Sequence, residues 1–379
     1  MSLLPARARR SHQPLFVLFL RNLRTRSLST LTTSSIATKT PPIIARKAAD
    51  TPTQAYRPHQ YTLHWAGATP KSVLIVRKDN DHKVDAALIR IAQWLHTTYP
   101  QINVVLEPQV HSCHHQTLPF TYTIAAENRA EYARVVDFVV TLGGDGTFLH
   151  VASLFEAEVP PIIPFSMGTL GFLLPFNVGD FAAQLRNVIE NSATVLPRMR
   201  LLYERASGAS RHVTNEVSIH RGTYPHLTTI SCSLDGHLLT TSVGDGIIVG
   251  TPTGSTAYAL SAGGPIVHPL VASMVLAPVC PRSLSFRPLM LPASSVVTLQ
   301  VHKGSRGQAT AFVDGRDCGG VVQGEKVVIR RSPFPLMCVN RVDLAKGWAQ
   351  DINQLLKFNR TFSHPHETPF DDPDESSDQ

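Results

Sequence analysis

The sequence predicts an α/β N-terminal domain with a doubly wound parallel sheet, followed by a β-rich C-terminal domain. The first domain is predicted over residues 70–193, where short apolar runs typical of buried strands alternate with amphipathic helical patterns. The second is predicted over residues 194–340, where Val and Thr alternate with polar residues in short runs. Asp235-Gly236 and Asp314-Gly315 lie between such runs as turn pairs.

The elements of the first domain follow one another as strands and helices. Apolar residues that recur at spacings of four, three and four predict a helix over residues 84–95, with Asp81 as its N-cap. A second helix is predicted over Phe181–Ile189, with Asp180 as its N-cap. The predicted strands are Ser72–Val76, Ile102–Leu106, Val135–Leu142 and Pro161–Phe165.

The C-terminal end is predicted to contain a helical segment and a tail. Leu344–Phe358 has helical spacing of apolar residues, so residues 341–361 are assigned to a C-terminal helical segment. Residues 362–379 contain six acidic side chains among Pro and Ser and almost nothing apolar, which predicts a disordered acidic tail.

The N-terminal end has the composition of an organelle transit peptide. Residues 1–49 contain nine basic side chains and no acidic one, and removing these nine charges from the formal net charge of +7 leaves −2. The folded body therefore shows no charge excess that would favour nucleic acid. The apolar run Leu15–Leu20 is too short for a secretory signal or a membrane helix. We expect a mitochondrial transit peptide over 1–49 and a linker over 50–69; a chloroplast address and a disordered tail are the alternatives.

The cysteines and histidines do not predict a metal site. The five cysteines are scattered and never form a Cys-x-x-Cys pair, so reduced thiols are expected. The cluster of metal-binding side chains at residues 111–115 has no second ligand group at zinc-site spacing, and we interpret it as a solvated loop.

A glycine-rich turn follows the predicted strand Val135–Leu142. The sequence Gly-Gly-Asp-Gly-Thr at residues 143–147 lies at the carboxyl end of that strand and precedes a helical pattern. Glycines at this position let backbone amides approach an anion, and the helix adds its positive end. Asp145 would repel a phosphate, so its presence indicates catalysis; a purely structural Asp-Gly turn is the alternative.

A second run, Gly244–Pro265, is dense in Gly, Ser and Thr. Small residues and hydroxyls at this density suit a polar ligand that the backbone approaches from several sides, and Tyr258 can present a flat face to a base. A loop-rich β corner is the alternative. Neither a Gly-x-x-x-x-Gly-Lys-Ser/Thr phosphate loop nor a Gly-x-Ser-x-Gly elbow is present.

Taken together, these segments resemble the motifs of the NAD kinase family. The matching segments are GGDGT at 143–147, Thr214-Asn215-Glu216, GDGIIVGTPTGSTAYALSAGGPIVHP at 244–269, SFRPLMLP at 285–292 and Phe312-Val313-Asp314-Gly315. The resemblance covers about residues 70–340, and it implies an NAD kinase/diacylglycerol kinase-like fold. With the leader, the chain resembles the fungal mitochondrial branch, in which NADH can be the preferred acceptor.

The resemblance implies ATP-dependent phosphorylation of the adenosine ribose 2′-hydroxyl of NAD⁺ or NADH, with Mg²⁺ as divalent cation. It implies that Asp145 is the catalytic base and that Gly143, Gly144, Gly146 and Thr147 bind ATP phosphates. No metal ligand is identified, and a homo-oligomer, dimer or larger, is expected, without nucleic acid or membrane insertion. The residues implied to bind the dinucleotide are Phe172, Asn215, Glu216, Asp245, Thr253, Thr256, Ala257, Tyr258 and Ser261.

Two positions depart from the family pattern, and two other functions compete. Family members often carry Asn, Ser or His at Thr169 and Gln at Arg316, so the pocket can differ here. A lipid or sugar kinase of the GGDG superfamily would also use the first motif, but it has no use for the Asn-Glu pair. A non-catalytic dinucleotide-binding protein would not need an acid at position 145.

Overall fold

The computed structural model describes residues 42–46, 61–65, 69–168, 171–223, 225–306 and 309–357. Residues 1–41 of the predicted leader, Thr169 and the predicted acidic tail 362–379 lie outside the described residues.

The strands and helices alternate in the first half of the chain, and strands dominate the second. The helices are α1 (His82–Thr98), α2 (Pro108–His114), α3 (Tyr132–Val135), α4 (Asp145–Leu154), α5 (Phe181–Glu190), α6 (Tyr258–Ser261) and α7 (Leu344–Leu356). The first strands are β1 (Pro42–Arg46), β2 (Tyr61–Trp65), β3 (Ser72–Arg77), β4 (Asn103–Leu106), β5 (Tyr122–Thr123), β6 (Phe138–Gly143), β7 (Ile162–Ser166), β8 (Phe176–Asn177) and β9 (Ala193–Arg198). The later strands are β10 (Leu201–Arg205), β11 (Ser210–Val213), β12 (Glu216–His220), β13 (Thr228–Leu234), β14 (His237–Gly244), β15 (Gly246–Gly250), β16 (Ser273–Val279), β17 (Leu289–Pro292), β18 (Val297–Val301), β19 (Ala309–Val313), β20 (Arg316–Val321), β21 (Lys326–Arg331) and β22 (Leu336–Val339).

The first sheet confirms the doubly wound prediction. Its order in the described residues is β1-β2-β9-β22-β7-β6-β3-β4-β5, and the strands from β22 to β5 run parallel. Successive side chains of a strand point to opposite faces. On β3, Val73 and Ile75 therefore pack with α1 and α5, whereas Leu74 and Val76 pack with α3 and α4.

The second domain is a sandwich of two antiparallel sheets, as the alternating pattern predicts. One sheet has the order β11-β10-β21-β18-β13-β14, and the other has the order β17-β16-β15-β12-β19-β20. Their facing sides share one buried cluster, to which β10 contributes Tyr203 and β12 contributes Ile219. On the outer side of the second sheet, Ile248 of β15 packs with Ala259 of α6.

The strand pairing differs from the predicted domain division at two places. Part of the predicted linker 50–69 is strand β2, whose Leu63 is fully buried and whose Trp65 lies 6.0 Å, between ring centroids, from Phe138. In the predicted second domain 194–340, β9 and β22 instead pair with each other in the first sheet. A short strand pattern gives the type of an element, but long-range pairing decides which sheet the strand joins.

Several local predictions also need correction. The predicted strand Val135–Leu142 begins later, because Tyr132–Val135 is helical and β6 starts at Phe138. The predicted loop at residues 111–115 is largely helix α2, which starts with Pro108, a favourable residue in a first helical turn. Asp81 caps α1 as predicted, accepting a hydrogen bond from the backbone N–H of Lys83.

Asp180 occupies the predicted N-cap position of α5, but its side chain does not cap the helix. Asp180 makes no side-chain capping bond, because a 3₁₀ turn over residues 178–180 precedes α5 and Asn177 caps that turn instead. Among the described residues, no helix is both long enough and apolar enough to cross a membrane.

We predict that Leu63→Ala destabilises the protein by about 2–5 kcal/mol, because it removes a fully buried side chain from the first core. The matched control is Leu284→Ala, since Leu284 is 82% exposed and its truncation should cost within about 0.5 kcal/mol. Urea denaturation measures both free energies of unfolding. Equal values for the two variants would show that residues 61–65 are not part of the core.

Candidate functional site

The glycine-rich turn leads from the middle of the parallel sheet into α4. At Gly143 (φ 157°) a Cβ atom would overlap the Thr147 hydroxyl and lie 3.0 Å from Lys78 Cβ, so the turn closes only around glycine. At Gly144 and Gly146 a Cβ atom would meet nothing within 4 Å. These two glycines therefore border open space, as expected for backbone that a ligand approaches.

This open space is a cleft of about 540 Å³ beside the turn. Lys78, which follows β3, lies on its wall with a largely exposed side chain, and its Nζ is 3.7 Å from Asp81 Oδ2. The sequence prediction missed this lysine because it lies 65 residues before the turn. The available signal was its position directly after a parallel strand, since the carboxyl ends of neighbouring strands meet at one edge of the sheet.

Asp145 is the first residue of α4, and backbone amides hold its carboxylate. It accepts hydrogen bonds from the N–H groups of Leu173 (3.1 Å) and Phe172 (3.3 Å). Burial raises the pKa of Asp145, and these two bonds and the nearby Arg198 guanidinium oppose the rise. A side chain at position 171 would collide with the carboxylate, so Gly171 is required for this contact.

Arg198, at the end of β9, joins the two domains at this point. Its Nη2 donates to the carbonyl oxygen of Phe172 and its Nη1 to the hydroxyl oxygen of Thr253, both at 3.3 Å. The side chain is buried. The sequence prediction missed it, because an arginine between two strands is more often exposed.

The Asn215–Glu216 pair lies on a loop that Asp314 holds in place. The Asp314 carboxylate accepts hydrogen bonds from the backbone N–H groups of Thr214 (2.9 Å), Asn215 (2.6 Å) and Glu216 (3.3 Å). Asp314 and Gly315 both have positive φ, so the predicted Asp-Gly turn is confirmed. Asp314 thus forms part of its own turn and also binds the three backbone N–H groups of the loop that carries Asn215 and Glu216.

The Glu216 side chain is buried and incompletely satisfied. Its Oε2 has no hydrogen-bond partner among the described residues. Burial, and then the charge of Asp314, raise the pKa of Glu216 to about 7, against a backbone hydrogen bond from Tyr258. A buried carboxyl oxygen without a partner is suited to accept a bond from a ligand.

The turn after β15 packs directly on this loop. The Thr251 hydroxyl donates to the carbonyl oxygen of Thr214 (2.6 Å), and the Thr251 N–H donates to that of Asn215 (2.8 Å). Gly254 lies so close to the Asn215 carbonyl oxygen that a Cβ atom would overlap it. Thr256 and Ala257 continue the turn.

These contacts bring most of the predicted site residues together. Asp145 contacts the backbone of Phe172, Arg198 bridges Phe172 and Thr253, and the turn of Thr253 packs on the Asn215–Glu216 loop. Tyr258, at the start of α6, is 37% exposed. One continuous chain of contacts therefore spans both domains.

One predicted residue, Asp245, lies apart. Glu216 pairs with Gly250 and His220 with Gly246, so Asp245 lies just beyond the far end of β15, roughly 17 Å along the strand from Gly250. Its carboxylate forms an ion pair with Arg221, at 2.6 Å between Oδ1 and Nε. Ser261 ends α6 and is exposed. No group of three or more potential metal ligands occurs among the described residues.

Comparisons with known proteins match both domains. The model of the ATP-NAD kinase N-terminal domain matches residues 73–193, and that of the ATP-NAD kinase C-terminal domain matches residues 214–341. The mitochondrial NADH kinase of Schizosaccharomyces pombe is 38% identical over 305 residues, covering 79% of this chain and 78% of that protein. Its counterpart in Saccharomyces cerevisiae is 39% identical over 343 residues, covering 77% and 81%. The crystal structure of yeast NADH kinase complexed with NADH has a TM-score of 0.79 at 32% identity, covering 88% and 99%.

We predict that Gly254→Ala lowers the thermal unfolding midpoint, because its Cβ must displace the backbone of Asn215. Gly250→Ala is the matched control, since its Cβ would meet its nearest neighbours at an ordinary 3.7 Å. Calorimetry of both variants measures the difference. The close packing of the two loops would be contradicted if Gly250→Ala were the more damaging change.

We predict that Glu216 makes the protein less stable as pH rises from 5 to 8. The folded-state pKa, about 7, lies above the value of 4.5 for an unperturbed glutamate, so the stability contributed by the protonated acid is complete below pH 4.5 and is lost as pH rises through 7. In Glu216→Gln this contribution is absent, and urea denaturation at pH 5 and pH 8 should show a smaller loss than in the wild type. An unchanged loss would mean that Glu216 does not bind this proton.

Proposed function

The chain belongs to the NAD kinase family and is a phosphotransferase of that class, and from this premise we propose which residues carry the reaction. The proposal is that the γ-phosphoryl group of MgATP passes to the 2′-hydroxyl of the adenosine ribose of NADH or NAD⁺, with Asp145 as the base. The observation that carries it is the chain of contacts from Asp145 through Phe172, Arg198 and Thr253 to the Asn215–Glu216 loop.

The donor would occupy the 540 Å³ cleft beside the glycine-rich turn. Backbone amides of Gly143, Gly144 and Gly146 would donate to phosphate oxygens, and Thr147 is placed within the first turn of α4. Lys78 would add a positive charge from the neighbouring strand. Mg²⁺ enters as part of the MgATP substrate, where it neutralises phosphate charge, and Asp79 and Asp81 supply carboxylates on the same wall.

The acceptor adenosine would bind to the residues of this site that belong to the C-terminal domain. Asn215 has both a donor and an acceptor for a base edge, and the unpaired Oε2 of Glu216 is suited to a ribose hydroxyl. Tyr258 offers a half-exposed ring, and Thr253, Thr256 and Ala257 form the adjoining turn. Phe172 lies beside Asp145 and would line the same pocket.

In the transfer, the ribose hydroxyl oxygen attacks the γ-phosphorus while the bond from that phosphorus to the bridging oxygen of ADP breaks, and the hydroxyl proton passes to the Asp145 carboxylate. Burial supports this role, because the raised pKa makes the carboxylate a better proton acceptor than an exposed aspartate. The backbone bonds from Phe172 and Leu173 would fix its orientation.

We also propose that the protein acts in the mitochondrial matrix and that NADH is an acceptor. The basic, acid-free leader supports import, and the names of the two fungal relatives support both points. The expected homo-oligomer, the role of Asp245 and the role of Ser261 stay predictions. The NAD kinase family models match both domains, and they do not support the two alternative functions, a lipid or sugar kinase and a non-catalytic dinucleotide-binding protein.

The test is a product assay on purified protein that begins at residue 42 and so keeps β1. The protein receives ATP and Mg²⁺ with NAD⁺ and NADH in parallel reactions, and chromatography separates NADP⁺ and NADPH. Product establishes the reaction, and the ratio of kcat/KM values identifies the better acceptor. Folded protein that forms neither product, yet binds NADH, would instead support the non-catalytic function.

We predict that Asp145→Asn reduces kcat by about 10²–10⁴-fold, the range expected when a general base is lost. The dissociation constant for NADH should change little, because the amide keeps the size of the side chain. Asp180→Asn is the control, because Asp180 is exposed and makes no side-chain capping bond. Turnover close to wild type in Asp145→Asn would exclude Asp145 as the base.

A further inference from the structure

A second interdomain cleft, of about 510 Å³, lies on the other side of α4 from the donor cleft. Leu149, Ala152 and Ser153 of α4 form one wall. The other wall belongs to the C-terminal domain and includes Arg211 of β11 and Arg316 of β20. Adjacent helix residues are turned by about 100°, which is why His150 lines the donor cleft whereas Leu149 lines this one.

Three guanidinium groups face this second cleft. Arg129 donates from Nε to the carbonyl oxygen of Leu154, at the end of α4. The side chains of Arg211 and Arg316 are exposed and form no hydrogen bond or ion pair with any described residue, although the charge of Arg316 is near enough to Asp314 to oppose the rise of its pKa. Two guanidinium groups without side-chain partners on one interdomain cleft can donate charge-assisted hydrogen bonds to a carboxylate or a phosphate group.

The acidic groups of the cleft do not satisfy these cations. Asp314 already accepts from three backbone N–H groups on the side of the Asn215–Glu216 loop. Glu156 is the other acid on the lining, and it is exposed and unpaired among the described residues. Burial lowers the pKa of His212, so its imidazole is neutral near pH 7. The lining thus has three positive and two negative charges, and one negative charge is engaged elsewhere.

Both walls of the cleft are directly connected to the candidate active site. The helix that forms one wall begins at Asp145. On the other wall, Asp314 holds the loop that carries Asn215 and Glu216. A ligand that contacts both walls would therefore fix the position of the base relative to the dinucleotide loop.

We propose that this second cleft binds a small anion with two or more carboxylate or phosphate groups, and that Arg211 and Arg316 are its main ligands. Its volume is within the range of about 300–1,000 Å³ typical of small-molecule sites. Occupancy changes the affinity for the dinucleotide, because the anion stabilises one arrangement of the two walls. The binding site is inferred from the geometry of the cleft alone. The effect of the anion on dinucleotide affinity rests in addition on the proposed function.

The test uses calorimetric titration of citrate and of inorganic tripolyphosphate into the full-length protein, first without metal or nucleotide and then with saturating ATP. The double variant Arg211→Gln, Arg316→Gln should bind the preferred probe at least about tenfold more weakly, since two charge-assisted contacts are lost. Arg306→Gln is the matched control, because Arg306 is exposed and lines neither cleft. Lys78→Gln tests for binding in the donor cleft. The two probes distinguish a carboxylate ligand from a phosphate ligand.

The proposal is supported if the double variant alone loses affinity and saturating ATP leaves probe binding intact. It is overturned if neither probe binds the wild type, if the double variant binds as the wild type does, or if Lys78→Gln or ATP abolishes binding. For the linkage, the KM for NADH should shift with probe concentration in the wild type but not in the double variant. A protein that binds the probe but forms no product would refute the proposed function and leave the anion site intact.

Discussion

The Arg198 guanidinium is the contact on which the arrangement of the site depends. A buried cation is costly unless its donors find acceptors, and here the acceptors come from different domains, the Phe172 carbonyl oxygen and the Thr253 hydroxyl. The Phe172 segment in turn supplies the amides that hold Asp145. Although Arg198 Nε has no partner among the described residues, the bonds of its two terminal nitrogens tie the segment that holds the acid on α4 to the loops of the β-rich domain.

Three buried or partly buried carboxylates surround this bridge, and burial raises the pKa of each. Asp145 and Asp314 are compensated by backbone N–H groups, whereas Glu216 retains an unpaired oxygen. Desolvation of an acid disfavours folding unless hydrogen bonds replace water. The fold tolerates this cost where a ligand can supply the missing partner, so Glu216 is the group whose environment a bound dinucleotide would change most.

The α4 helix has a different use on each side. Its first turn carries Asp145, the proposed base, and borders the proposed donor cleft, and its later residues line the second cleft toward Arg211 and Arg316. Asp145 and Ala152 lie on the same short helix. A ligand that shifted the helix at Ala152 would therefore move Asp145 as well. The structure thereby offers a short physical path between an anion site and the reaction, through one helix and one aspartate turn.

The sequence by itself determined the class of the fold and the glycine-rich turn, because these depend on local pattern, and its resemblance to the NAD kinase family predicted most residues of the candidate site. Strand β3, the cap at Asp81 and the Asp314-Gly315 turn follow from residues within a few positions of one another. Only the tertiary structure placed β2, β9 and β22 in the first sheet and brought Lys78 and Arg198 to the site. It also separated Asp245, which directly precedes β15, from Glu216, which pairs with Gly250 at the other end of that strand. Strand pairing and the partners of a buried charge are set by contacts between distant segments, and no local spacing in the chain encodes them.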